Sequence, residues 1–153
     1  MAQLVQINTS QGGVPKLPIH QGVVTFEGIE GDGQQDLKHH GGPDRAVCLY
    51  SLERIHTLQR EGHSIWPGAT GENLTVSGLN WDLMIPGVVL HIGVDVILEI
   101  TSYAVPCSKI SPWFNDKKST RISQKLHPGW SRIYTKVISE GIVKPGDRVY
   151  IQR

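Results

Sequence analysis

The sequence predicts a mainly β fold with a few short helices, and three observations carry that prediction. Glycine (17) and proline (9) are scattered along the chain instead of pooled in one linker, as tight turns between strands require. The apolar runs between them are short and rich in Val, Ile, Thr and aromatic residues. Only residues 52–61 hold helical apolar spacing behind a capping residue.

Taken in order, residues 2–8 alternate apolar and polar and read as a first strand. Residues 10–18 carry Gly12, Gly13 and two prolines and read as a loop. Residues 22–27 are β-branched and aromatic, hence a second strand. Residues 28–44 are polar and glycine-rich, and a loop of that length in a compact domain is usually functional or mobile. Strand character resumes over 45–50. Ser51 then caps a helix over 52–61, with Glu53 near its positive end, Leu52, Ile55 and Leu58 on one face, and Gly62 as the stop. Residues 63–72 form another glycine- and proline-bearing loop, and 73–76 a short strand. Residues 88–92 and 94–101 pair around Gly93. One or two short helices are expected in 106–126, the better one near 119–126. Residues 134–139 and 147–151 close the fold. Pro86-Gly87 and Pro145-Gly146 each lead into an apolar run ending in Ile, an echo that reads as repeated turn chemistry, not a duplicated domain.

A length of 153 residues fits one domain over 1–153. The formal charge of +1 gives no reason to expect nucleic acid or a membrane surface as partner, so any bound anion must be held by local donors. Two cysteines are too few for a disulfide scaffold, and no run approaches the ~18 apolar residues of a membrane span. The expectation is a cytoplasmic protein with reduced thiols.

Four places carry residues suited to chemistry. Cys107 follows Pro106 where a strand should give way to a loop; a thiolate there is both a nucleophile and a soft metal ligand. Lys109 and Arg121 are candidate cations to stabilise it. A buried, inert thiol is the competing reading, and it is the expected one for Cys48, which sits among strand formers. In the segment ending His40-Gly41-Gly42-Pro43-Asp44-Arg45, Gly41 and Gly42 let backbone N–H groups approach a ligand. Arg45 offers a planar fork for phosphate or carboxylate, and His40 is a candidate proton carrier. Asn73 and Thr75 alternate on a short strand, so both are expected to face one pocket, with Glu72 facing away unless the backbone bulges. Arg121 and Arg132 flank Trp130: the arginines suit an anion and the indole suits a stacked ring.

The order of these motifs resembles the MOSC family, named for the C-terminal domain of molybdenum cofactor sulfurases. The match runs from about residue 27 to 151 through G-D-G-Q at 31–34, H-G-G-P-D-R at 40–45, P-G-A-T-G-E-N-L-T at 67–75, P-C at 106–107 and G-I-V-K-P-G-D at 141–147. The resemblance implies a mostly closed, distorted β-barrel and places the family's functional cysteine on Cys107. It implies molybdenum cofactor (molybdopterin) with Cys107 as metal ligand, and reduction of N-hydroxylated small molecules with electrons from a separate redox protein. The alternative it implies is a sulfur carrier with a persulfide on Cys107, charged by a cysteine desulfurase partner that holds its own pyridoxal phosphate. A binding module without chemistry is the third reading.

Overall fold

In the computed structural model of the chain, residues 1–33 and 42–153 are described. Eleven strands, one α-helix and four 3-10 turns follow one another among them. The strands are β1 Gln3–Thr9, β2 Leu17–Ile19, β3 Gly22–Thr25, β4 Gly28–Ile29, β5 Val47–Ser51, β6 Leu74–Ser77, β7 Val89–Ile92, β8 Val96–Tyr103, β9 Ile133–Ser139, β10 Gly141–Val143 and β11 Val149–Ile151. The helix, α1, spans Leu52–Arg60. No helix of the described residues is long and apolar enough to cross a membrane.

The main-β expectation holds, but the barrel does not. The eight-stranded sheet is open, in the order β11-β7-β8-β9-β5-β6-β1-β2, and β10-β3-β4 form a separate sheet. The reason lies in β1, whose outer neighbour changes halfway along. Its last residues pair with β2, Ile7 to Ile19 through Thr9 to Leu17. Its first residues meet the 146–149 segment through a single bridge, Gln3 to Arg148, and a few backbone bonds such as Leu4 N–H to the Asp147 carbonyl at 2.8 Å. No continuous ladder therefore joins β1 to β11, as closure demands.

Helix α1 forms as its sequence dictates. The Ser51 hydroxyl accepts from the Arg54 N–H at 3.1 Å, Ile55 and Leu58 are buried, and Gly62 takes φ 97° just past the end. The two Pro-Gly echoes are matching type II turns. Val88 N–H reaches the Ile85 carbonyl and Asp147 N–H that of Lys144, with Gly87 and Gly146 at φ 97° and 96°. The strands they feed, β7 and β11, pair with each other. Differences from the sequence reading are local. β2, β4 and β10 lie in segments read as loops or left unassigned, and β8 starts at Val96, beyond the Gly93 turn. Arg45 sits in a 3-10 turn, Pro43–Arg45, ahead of β5. The helices expected in 106–126 are 3-10 turns, Ser108–Trp113 and Ser119–Ile122, because prolines and short polar residues deny them a full α-helical repeat.

Strand β5 divides the interior. Val47 and Leu49 enter the main apolar cluster, while Cys48 packs in a small second cluster with Ala104 and Tyr134. That second cluster is the floor of the candidate site.

Candidate functional site

Strand alternation brings the floor together. Cys48 on β5 is the register partner of Tyr134 on β9, and Ser102 on β8 pairs with Tyr134 from the other side. Arg132 lies two residues before Tyr134 on the same face, and its carbonyl accepts the Ala104 N–H at 3.0 Å. Three residues past Ala104 the chain reaches Cys107, which is partly exposed, whereas Cys48 is buried. The Cys107 carbonyl is pinned by the Ile110 N–H at 3.3 Å and the Ser119 hydroxyl at 3.2 Å. From above, the Thr101 hydroxyl donates to the Asp44 carbonyl, and the Arg45 guanidinium sits 5.7 Å from the centre of the Tyr134 ring. Burial pushes Tyr134 well above the usual phenol range; Cys48 and Cys107 add to this, and Arg132 and Arg45 oppose it. Both thiols and both guanidiniums are thus within electrostatic reach of one phenol.

Arg132 is the unusual group. It is 4% exposed, and its Nη1 donates to the Thr70 carbonyl at 2.6 Å. Nε and Nη2 are buried with no hydrogen-bond partner among the described residues. A buried guanidinium with two unmet donors is costly alone and is the chemistry an anionic ligand answers. Arg121 has the opposite fate. Its Nε and Nη2 clasp the Glu61 carboxylate at 2.8 Å each, and the same bonds hold Glu61 below the usual carboxylate range. It also lies 4.1 Å from the Trp130 ring centre, with Arg54 at 4.5 Å. Arg121 is thus committed to Glu61 and Trp130, although its Nη1 is buried without a partner among the described residues, and Lys109 is exposed; of the cations named from sequence, Arg132 and Arg45 are the ones within electrostatic reach of Tyr134.

Asn73 and Thr75 are both buried, and both are bonded to Asn8. The Asn73 amide accepts from the Cys48 N–H at 3.0 Å and donates to Asp32 at 2.9 Å. The Thr75 hydroxyl donates to Glu72 at 2.9 Å and accepts from Asn8 at 3.1 Å. Glu72, expected to face away, is fully buried, because Gly71 at φ 89° turns the chain just before it. Its carboxylate accepts from Gly68 N–H at 3.0 Å and from the Thr70 and Thr75 hydroxyls at 2.9 Å each, and burial raises its pKa. Sequence reasoning also missed Lys16, which pairs with Asp32 at 2.6 Å under cover, with side chains 10% and 3% exposed. These residues brace the loops around the floor. Gly42 takes φ 83°, with no described atom within 4 Å of where a Cβ would stand. His40 and Gly41 lie outside the described residues. A groove of about 960 Å³ lined by both chain ends, including His91 and Tyr150, contains none of the candidate site residues.

Burial lifts the Cys48 thiol to about 12, with Glu72 and Asp32 adding to the rise and Arg132 and Lys16 opposing it. Titration of the folded protein near pH 8 with a chromogenic disulfide should therefore find one fast thiol, Cys107, and the second only after denaturation. Two fast thiols, or none, would contradict this arrangement.

A family model described as MOSC domain matches residues 36–150. The uncharacterized protein YflK of Bacillus subtilis is 35% identical over 136 residues, covering 88% of this chain and 60% of its own length. A protein named Reductase from Gibberella moniliformis is 26% identical over 139 residues, 85% of this chain but 24% of that protein. The crystal structure of YiiM from Geobacillus stearothermophilus superimposes with a TM-score of 0.74 at 26% identity, covering all of this chain and 76% of that one.

Proposed function

The chain belongs to the MOSC domain family, and we propose on that premise that it binds molybdenum cofactor through Cys107 and supports reduction of N-hydroxylated compounds by an external electron donor. The observation that carries this reading is Arg132, a buried guanidinium with two donors unmet among the described residues, whose carbonyl holds Ala104 three residues before Cys107. The donor set fits the group. Arg132 and Arg45 would neutralise the pterin phosphate, the Gly42 backbone allows close approach, and the Cys107 sulfur suits a soft metal. Among the described residues no group of three His, Cys, Asp or Glu could hold a metal, so Cys107 would act on a metal brought in by the cofactor.

When bound, the cofactor would supply two-electron redox chemistry. The net reaction takes R–NHOH, two electrons and two protons to R–NH2 and water. The chain's own part is positional. The Cys107 carbonyl is held by the Ile110 N–H and the Ser119 hydroxyl, and Tyr134, Cys48 and Ala104 form a buried cluster on the strands that lead to it. Tyr134, kept protonated by burial, is a neutral group within electrostatic reach of Cys107. His40 is the proposed carrier of the protons.

The test is elemental and fluorimetric. Protein prepared without oxygen should carry molybdenum and pterin in near-equal amounts, and Cys107→Ala should lose the metal with its fold intact. An unchanged metal load in that variant, together with an added sulfur on Cys107 of the parent after incubation with a cysteine desulfurase, would replace this reading with sulfur carriage.

A further inference from the structure

The eight-stranded sheet ends in two edges, β2 and β11, and the sequence treats them differently. On the β2 side, Asn8 N–H bonds to the Asn73 carbonyl at 2.7 Å, toward β6, so its register partner Pro18 turns its backbone outward. Proline has no N–H to offer there, which blunts that edge. β11 reads Val149-Tyr150-Ile151, without proline, between Arg148 and Gln152-Arg153.

Alternation sorts the backbone groups of β11. Gly93 N–H reaches the Arg148 carbonyl at 2.9 Å and Gln152 N–H the Val89 carbonyl at 2.8 Å, so residues 148, 150 and 152 bond toward β7. Residues 147, 149 and 151 bond away from it. The first two find β1: Leu4 N–H meets the Asp147 carbonyl at 2.8 Å, and Val149 N–H meets the Ala2 carbonyl at 3.1 Å. Ile151, next in that row, has no backbone partner there among the described residues, and it lines the groove of about 960 Å³ between the chain ends. Across β1, the 78–80 segment that follows β6 lines the same groove. β1 itself lies between β11 and β6, Gln3 facing Arg148 on one side and Ser77 on the other, so the lane is one strand wide.

Charge selects what fits the lane. Arg148, Arg153 and His91 line the groove, and no aspartate or glutamate does. Both arginines are exposed, with no carboxylate within salt-bridge distance among the described residues. Arg148 rests 5.5 Å from the Tyr150 ring centre, and Tyr150 stacks on its register partner His91 at 4.7 Å. A second copy of the chain would bring like charges to this edge through its own β11, or Pro18 through its β2, so both charge and donor pattern favour a different, acidic chain.

We propose that the groove takes an extended acidic segment of a partner protein, added as a strand on β11 with its carboxylates at Arg148 and Arg153. Main-chain bonds to Ile151 set the register, and the arginines choose the partner. None of the candidate cofactor residues lines the groove, so this inference and the cofactor reading stand or fall separately.

The probe is a fluorescently labelled peptide of about eight residues alternating glutamate and valine, titrated into the full chain and read by anisotropy. It should bind at low salt and weaken as salt rises through about 0.1 M, where the screening length falls to ~10 Å. Arg148→Glu/Arg153→Glu should weaken it at least tenfold, with the Cys107 thiol reacting at the parental rate. A peptide with lysine in place of glutamate should not bind. Of two peptides N-methylated on alternate residues, one on each edge, the one that blocks the β11 edge should bind at least tenfold less tightly; this comparison leaves the protein unaltered. Deuterium exchange at the Ile151 amide should slow when the glutamate peptide is added. No binding at about 1 mM peptide, equal binding of the lysine peptide, or equal binding of the two methylated peptides would overturn the proposal. So would a concentration-dependent dimer that slows Ile151 exchange without peptide, which assigns the edge to a second copy.

Discussion

Arg132→Met should empty the site of pterin while leaving the apoprotein as stable as the parent to within about 1 kcal/mol, or more stable. Both halves follow from one geometry. In the parent the guanidinium is 4% exposed, makes one bond to the Thr70 carbonyl, and leaves Nε and Nη2 unmet among the described residues. Without a ligand those donors are a cost, and an unbranched apolar side chain of similar reach fills the space without it. With an anion present, each becomes a charge-assisted hydrogen bond contributing roughly 1.5–3 kcal/mol. Two such bonds correspond to about 10²- to 10⁴-fold in affinity. Urea unfolding of the apoproteins and fluorescence of the released, oxidised pterin measure the two halves separately. Arg132→Lys keeps the charge but not the planar fork, and should retain an intermediate amount of cofactor. A methionine variant that loses several kcal/mol as apoprotein would show Arg132 to be a structural clamp on Thr70, and the assignment of its free donors to a ligand would fall.

The contrast between Arg132 and Arg121 shows where sequence reading stops. The two lie eleven residues apart in one basic, aromatic window, and composition gives no reason to separate them. Their fates are set by Glu61, sixty residues before Arg121, and by the Ala104 pairing that holds Arg132 in the sheet. What was legible was local. The Ser51 cap, the Gly62 stop, the Pro-Gly turns and the strand exit at Pro106-Cys107 each depend on a few adjacent residues, and each appears where its chemistry predicts. Strands of two or three residues, such as β4 and β2, are too short to show a period. The open sheet was illegible for the same reason as the Lys16–Asp32 pair. Both depend on which distant segment lies beside another, and in β1 that neighbour changes midway. Thr75 and Asn73 were assigned to a shared pocket by strict alternation. The same rule turned Glu72 away, and there the turn at Gly71 sends it inward.

Glu72→Ala should be the most damaging single change to the fold around the site, by about 3–5 kcal/mol, or roughly 10 °C in Tm. The carboxylate gathers the Gly68 N–H and the hydroxyls of Thr70 and Thr75 in a fully buried position. Truncation leaves a cavity and an unpaired backbone donor where loop 67–72 is pressed on the chain at Lys16, whose N–H reaches the Gly68 carbonyl at 2.9 Å. The same loop presents the Thr70 carbonyl to Arg132, so cofactor retention should fall with stability. Glu72→Gln separates shape from charge. Its amide oxygen can accept from Gly68, and its amide nitrogen can donate to the Thr70 hydroxyl once that rotates, so the loss near pH 7 should be under about 1 kcal/mol. The pH dependence has a definite sign. Burial raises the folded pKa of Glu72 above its unfolded value, so the folded state binds more protons in the window between the two. Its contribution is fully present below the unfolded value of about 4.3 and is lost as pH rises through the folded value. The stability difference between parent and Glu72→Gln should therefore move in favour of the glutamine protein as pH climbs from about 4, and level off above the folded pKa. Denaturant midpoints of the two proteins from pH 4 to 8 measure it. A difference that stays flat, or a glutamine variant as unstable as the alanine one, would mean that Glu72 is held ionised by a stronger field than its three donors provide.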